Sequence, residues 1–241
     1  MQRSSGDRRM GEQVLVFDLD DTLYLERDFA ASGFRAVDAW LANHLGAEGF
    51  AGHCEAAAAS GHSGRVFDTA LAAMGIAVDE ALVGQLVAVY RGHRPEIALA
   101  DDARRYLEHA RVGRRAIITD GPAATQQAKV KALGLEALVG RVIFTDLWGR
   151  EFWKPHARAY EAIESWADVK QDNLVYIADN PLKDFVTPRR RGWQTVMVAR
   201  DARVHRTAAP DEAHQADRRI SDLDELDEAL RSLAAGEAVS R

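Results

Sequence analysis

The sequence predicts an α/β protein: a parallel sheet with helices on both faces, carrying an all-helical insert directly after its first strand. Three observations predict it. A short apolar run near the N-terminus, Val14-Leu15-Val16-Phe17, delivers two carboxylates at its end, Asp18 and Asp20. Residues 25–99 then contain no convincing strand, only apolar residues at helical spacing. From about residue 101 to Val198, short apolar runs alternate with helical patterns, the sign of a parallel sheet.

Taken in order, the first run is rich in β-branched and aromatic residues and reads as a fully buried strand; its period of two puts Asp18 and Asp20 on one side, with Leu19 and Asp21 turned the other way. In the insert, Phe34, Val37, Leu41 and Leu45 mark one helix, the Ala-rich stretch 55–59 a shorter one, Val66 to Met74 a third, and Leu82 to Tyr90 a fourth. The alternating part reads as helix 102–111, strand Ala116–Thr119, helix 122–133, strand Val142–Phe144, helix 155–166, strand Leu174–Ala178, helix 181–191 and strand Thr195–Val198. Pro122 and Pro181 suit first helical turns, and Gly134 and Gly192 suit positions just past helix ends. Between Arg200 and Arg219 the chain is polar and irregular, which predicts a loop. Ser221 with Asp224 three residues on then opens a last helix whose stripe is Leu223, Leu226, Leu230 and Leu233. The expected domains are a core of 13–24 with 100–241 and a helical insert of 25–99, with residues 1–12 as a disordered tail.

Of the 241 residues, 47% are hydrophobic and 28% charged, and 31 basic against 37 acidic side chains leave a net charge of -6. This balance argues against nucleic acid as a partner. A single cysteine, Cys54, excludes an intramolecular disulfide and a cysteine-based metal site, so a reducing, cytoplasmic setting is expected. No stretch reaches the roughly 18 uninterrupted apolar residues of a membrane span, and the first twelve residues lack a signal peptide's apolar centre, so no membrane partner is expected. The oligomeric state is left open.

If the strands are parallel, their carboxyl ends share one edge. There the sequence places Asp18 and Asp20, then Thr119-Asp120-Gly121, then across a loop Lys154, then Asp179 and Asp184. Several carboxylates at buried strand ends need a counter-charge, and a divalent cation is the simplest. A hard cation such as magnesium takes oxygen ligands and shares them with phosphate, while a lysine and helix-start amides neutralise phosphate oxygens.

In content and order these segments resemble the haloacid dehalogenase superfamily of aspartyl-nucleophile phosphatases. Asp18, Asp20 and Thr22 match its D-x-D-x-T motif, Thr119 the hydroxyl residue ending the second strand, Lys154 the lysine near a helix start, and Asp179 with Asp184 the acidic pair. Ala178 stands where that last motif usually begins with glycine. The resemblance covers nearly all of residues 14–200 and implies a Rossmann-like core with a helical cap that closes over the pocket and excludes water. It also implies roles. Asp18 would be the nucleophile and Asp20 the general acid and base. Thr119 and the Asp120 and Gly121 amides would hold phosphate, with Lys154 neutralising both nucleophile and phosphoryl group. Asp18, the Asp20 carbonyl, Asp179 and Asp184 would hold Mg2+, Asp184 directly or through water. Tyr24 and Arg27 near the cap's start, and His93 and Arg94 near its return, are candidate substrate contacts.

Trp148, Phe152 and Trp153 read as core or pocket wall. His53-Cys54 is too few ligands for a metal site, and Arg189-Arg190-Arg191 reads as a solvated helix end. Since superfamily dehalogenases lack the second aspartate, Asp20 favours phosphate-ester chemistry. The expected activity is a magnesium-dependent phosphatase for a small phosphorylated metabolite, a sugar phosphate or nucleoside monophosphate. A phosphomutase using the same intermediate and a catalytically silent binding module are the alternatives.

Overall fold

The computed structural model describes residues 13–61, 64–109, 114–204 and 206–236, so the expected disordered tail lies outside the described residues. In chain order the elements are β1 Val14–Phe17, α1 Glu26–Leu45, α2 Phe50–Ala59, α3 Val66–Ala73, α4 Glu80–Gly92, α5 Asp101–His109, β2 Arg115–Thr119 and α6 Ala123–Ala132. They continue with β3 Arg141–Phe144, α7 Arg158–Ala167, β4 Leu174–Ala178, α8 Val186–Arg190, β5 Gln194–Val198, β6 Arg218–Ile220 and α9 Leu226–Ala235. The chain divides into two compact units, one running up to Glu26 and again from Ala98, the other from Arg27 to Ile97. The dividing lines thus fall two residues inside those expected.

In the first unit six strands form one sheet in the order β3-β2-β1-β4-β5-β6, every pair parallel. β1 and β4 are buried along their whole length, which is why they read as unbroken apolar runs. The period of two splits their residues between the faces. Val14 and Val16, Ala116 and Ile118, and Leu174, Tyr176 and Ala178 pack against the Ala159, Tyr160, Ile163 and Ala167 stripe of α7. On the other face Phe17 meets the ring of Tyr106 on α5 at 6.5 Å, and the Tyr106 hydroxyl donates to Asp227 of α9.

A buried ion pair ties this second layer together. Arg200, just past β5, donates two hydrogen bonds to Asp102 of α5 at 2.9 and 2.7 Å and another to the Thr22 carbonyl at 2.9 Å. The same Asp102 accepts from the Leu223 amide at 2.8 Å.

Several sequence expectations are corrected here. The stretch 200–219 is not all loop: it contains a 3-10 turn at Glu212–His214 and ends in β6, a short strand whose residues Arg218-Arg219-Ile220 carry no apolar pattern. The last helix is preceded by a 3-10 turn, Leu223–Glu225, which Asp222 and not Ser221 caps, its side chain accepting from the Asp224 amide. Helix 181–191 shrinks to α8 because Asn180 and Asp184 close the preceding segment as turns: the Leu182 amide donates to Asn180 Oδ1 and the Asn180 amide to Asp184 Oδ2. Helix 155–166 starts only at Arg158. Residues 110 and 111 of the expected helix 102–111 lie outside the described residues.

The second unit is all helical. Phe34, Val37 and Leu41 of α1 form one stripe, closed by Phe50 and Cys54 of α2, Phe67, Ala70 and Leu71 of α3, and Leu86 of α4. α1 and α4 approach so closely that a Cβ on Gly33 would lie 2.4 Å from the Tyr90 ring. That ring is itself packed by Phe29 at 5.4 Å and Phe67 at 5.7 Å. Gly33→Ala is therefore expected to destabilise by about 1–2 kcal/mol, because the overpacking penalty exceeds the gain of about 1 kcal/mol in helix propensity. Thermal unfolding checks this; an unchanged or higher midpoint would contradict the contact.

The chain leaves and re-enters the first unit at neighbouring points, where the Ala100 amide donates to the Leu23 carbonyl at 3.0 Å. No helix among the described residues is long and apolar enough to cross a membrane.

Candidate active site

In the strand order observed, the chain direction of growth reverses between β1 and β4, and in open parallel sheets the crevice beyond such a point is where ligands bind. Asp18 follows β1 there, its amide donating to Ile177 of β4 at 2.8 Å, and Asp179 follows β4. β1 itself ends at Phe17, so Asp18 and Asp20 lie on the turn beyond it. Both line one cavity of about 330 Å³, together with Asp120, Gly121, Lys154 and Asp179. Asp21 takes a left-handed backbone, φ 53°, a conformation aspartate tolerates. Its carboxylate accepts from the Glu26 amide at 2.9 Å and the Val204 amide at 2.6 Å, a turn-building role away from the cavity.

Lys154 is the hub. Its fully buried ammonium lies 2.6 Å from Asp18 Oδ1, 2.8 Å from Asp184 Oδ1 and 3.1 Å from the Tyr176 hydroxyl. The approach to Asp184 Oδ1 has the distance of an ion pair without the angle of a hydrogen bond, which leaves that oxygen without a hydrogen-bond partner. Burial acts to discharge Lys154, but Asp18 and Asp184 overcome it and hold the ammonium well above its ordinary pKa.

Asp18, Asp179 and Asp184 gather oxygen atoms within 4.8 Å of one another. Lys154 pairs with Asp18 and Asp184, which leaves Asp179 without an ion pair among the described residues. Burial, against the pull of Lys154, pushes the Asp18 carboxyl up to about 6. Burial and then the charges of Asp18 and Asp184 push Asp179 up to about 9, and among the described residues its buried Oδ2 has no hydrogen-bond partner. An unpartnered buried carboxylate oxygen beside two others is the donor set a hard divalent cation takes, so these residues fit magnesium.

The Asp20 carboxylate has partners of its own. Its Oδ1 lies 2.6 Å from Lys129 Nζ and accepts from the Tyr24 hydroxyl, while its Oδ2 accepts from Gln126 Nε2 at 2.9 Å. Burial acts to raise its pKa, and Lys129, Tyr24 and Gln126 outweigh burial and hold it below the usual value. Gln126 also donates to the Thr119 hydroxyl, so the end of β2 and Asp20 are linked through one amide. The Asp120 carboxylate accepts from the Thr145 hydroxyl at 2.7 Å and the Lys154 amide at 3.1 Å, and lies 3.4 Å from Lys183 Nζ. It fixes the loop that carries Lys154. Gly121, at φ 113°, opens the turn into α6.

A family model described as haloacid dehalogenase-like hydrolase matches residues 12–185 of the sequence. The chain belongs to this family. Among solved structures, the HAD-hydrolase YfnB of Bacillus subtilis, determined bound to magnesium, has a TM-score of 0.66 at 18% identity over 90% of this chain and 98% of its own. The 2-haloacid dehalogenase of Pseudomonas syringae has a TM-score of 0.61 at 22% identity over 94% and 99%. The L-2-haloacid dehalogenase of Xanthobacter autotrophicus has 0.58 at 19% over 94% and 99%. These likenesses carry the fold. No curated protein matches the sequence.

Within this HAD-like hydrolase the structure brings together Asp18, Asp20, Asp120, Gly121, Lys154, Asp179 and Asp184, with Thr119 buried and its hydroxyl held by Gln126. Trp153 lines the cavity, its indole N–H donating to Asp146 at 3.1 Å, so Asp146 acts as a structural acceptor. Two expected substrate contacts have other duties. Tyr24 is completely buried with its hydroxyl on Asp20, and the His93 ring bridges the Tyr90 carbonyl at 2.6 Å and the Ser32 hydroxyl at 2.9 Å inside the helical unit. Arg27, on that unit, is exposed and lies 3.8 Å from Asp28, and Arg94 is exposed. Sequence reasoning passed over Gln126 and Lys129, whose spacing of three on α6 puts both on one helical face, and over Glu26 and Lys183, which line the cavity. The signal for the first pair was there: an amide and an ammonium on a face that Val130 and Leu133 mark as buried.

Proposed function

We propose that the chain is a magnesium-dependent phosphatase that hydrolyses a small phosphorylated metabolite, a sugar phosphate or a nucleoside monophosphate, through an aspartyl phosphate on Asp18. The observation that carries this reading is the buried Asp179 carboxylate with an unpartnered oxygen beside Asp18 and Asp184. Those three side chains, with the Asp20 carbonyl, would hold Mg2+, which when bound supplies positive charge to neutralise nucleophile and phosphate alike.

Asp18 attacks phosphorus; the bond from phosphorus to the ester oxygen breaks, and Asp20, ionised in the resting site, relays the proton of the phosphate monoester monoanion to that leaving oxygen. Asp20 then takes a proton from the water that attacks the aspartyl phosphate and passes it to the inorganic phosphate, which departs with Asp18 and Asp20 restored. Lys154 holds Asp18 in line and offsets charge on the phosphoryl oxygens, which a buried, fully charged ammonium does well. Thr119 and the Asp120 and Gly121 amides are the proposed cradle for the phosphoryl oxygens.

A 2-haloacid dehalogenase uses the same kind of nucleophile with a different need. Halide leaves as a stable anion, so neither an acid at Asp20 nor a cation at Asp179 would have work to do. An alkoxide leaving group needs the proton, and phosphate needs the cation. Release of inorganic phosphate from a panel of phosphometabolites tests this, with activity expected to vanish in EDTA and to return with added Mg2+. Halide release from 2-chloropropionate without phosphate release would replace the reading with dehalogenation. Isomerised phosphosugar without free phosphate would replace it with a mutase, and no turnover of any substrate with a silent module.

A further inference from the structure

Resting on the phosphatase reading, we propose that Lys129 and Gln126 are positioning residues that set the direction in which Asp20 presents its proton. The acid of a phosphoryl-transfer site must aim at the bridging oxygen, and an aspartate on a turn beyond its strand has no backbone reason to do so. Here both carboxylate oxygens are held, Oδ1 by Lys129 Nζ at 2.6 Å and by the Tyr24 hydroxyl, Oδ2 by Gln126 Nε2 at 2.9 Å. Lys129 lies in the last turn of α6 with its side chain 6% exposed, and Gln126 is 2% exposed. Burying an ammonium and an amide on the inner face of α6 costs several kcal/mol unless their partners are fixed. Their shared partner is a carboxylate that itself lines the cavity.

The arrangement is anchored at both ends. Gln126 also holds the Thr119 hydroxyl at the end of β2, and the Lys129 ammonium sits 5.8 Å from the Tyr24 ring centre, over its face. Any rotation of Asp20 therefore breaks contacts to two helical residues one turn apart and to the tyrosine. Through its 2.6 Å contact with Asp20, Lys129 acts on the chemistry by way of that carboxylate.

This separates proton delivery from nucleophilic attack, and leaving groups separate them experimentally. An alkyl phosphate loses an alkoxide and depends on the acid; p-nitrophenyl phosphate loses a stabilised anion and hardly does. Lys129→Met with Mg2+ is expected to lower kcat on an alkyl phosphate such as a sugar phosphate about 100-fold, the lower range of general-acid contributions. On p-nitrophenyl phosphate the loss should be under about 10-fold, with KM little changed on either. Gln126→Leu should move the same ratio in the same direction by less, and it carries the test if Lys129→Met does not fold. Equal losses on both substrates, with the wild type active on both, would overturn the positioning role alone. Failure of the wild type to release phosphate from either substrate would overturn the phosphatase reading, and this inference with it.

Discussion

Asp18→Asn is expected to abolish the proposed phosphate release, by a factor on the order of 10⁴ to 10⁶, and to leave the protein folded. The first half follows from asking an amide to attack phosphorus. The second follows from the cost of the carboxylate it replaces. Burial raises the folded pKa of Asp18 to about 6 from an ordinary 3.8, so its charge opposes folding increasingly as pH rises through that interval. Asparagine removes that opposition, and Lys154 keeps Asp184 at 2.8 Å as a counter-charge. In metal-free buffer above pH 6 the variant should unfold no earlier than the wild type, a comparison that thermal melts and a phosphate assay make side by side. Turnover above a tenth of wild type would sink Asp18 as nucleophile.

Arg200→Met is expected to cost about 3–5 kcal/mol, the largest effect on stability expected of a single change here. The guanidinium is buried, and removing it leaves the Asp102 carboxylate with backbone amides and no counter-charge from Arg200. Four chain segments meet at that pair: the turn after β1 through Thr22, α5 through Asp102, the exit of β5 through Arg200, and the approach to α9 through Leu223. The pH dependence has a definite sign. Burial acts to raise the Asp102 pKa, but its bonds to Arg200 and the Leu223 amide outweigh burial and hold it below the usual 3.8. The pair's contribution is therefore complete above that value and fades as pH falls through the depressed one. Urea unfolding should show the full gap between wild type and variant at neutral pH and a narrower gap only under acid conditions. A gap under 1 kcal/mol at neutral pH would contradict this account.

The sheet was legible because its buried strands are apolar from end to end, as in Leu174 to Ala178, and because the carboxylates that end them interrupt that pattern abruptly. The same logic hid β6: two arginines and one isoleucine at a sheet edge bury a single side chain, so no alternation exists to be read. Pro181 misled for another reason. A proline fits a helix's first turn, but side chains at Asn180 and Asp184 supply hydrogen bonds that hold the segment as turns, and such competition is settled by neighbours that a linear pattern does not show. In the site, Asp18, Asp179 and Lys154 stood out because strand ends are where chemistry collects. Lys129 and Gln126 did not, because their function depends on facing a carboxylate 109 and 106 residues away in sequence.

The hydrogen bond between Ala100 and Leu23 has a consequence for descent. Because the chain departs and returns at touching residues, the core meets residues 27–97 as it would meet a tight turn, and little loop-closure entropy depends on what lies between. A lineage could lengthen, shorten or exchange that segment while Asp18, Lys154 and Asp179 stay where β1, the loop after β3, and β4 put them. Inheritance of that cluster and change in the inserted segment can then proceed on separate schedules.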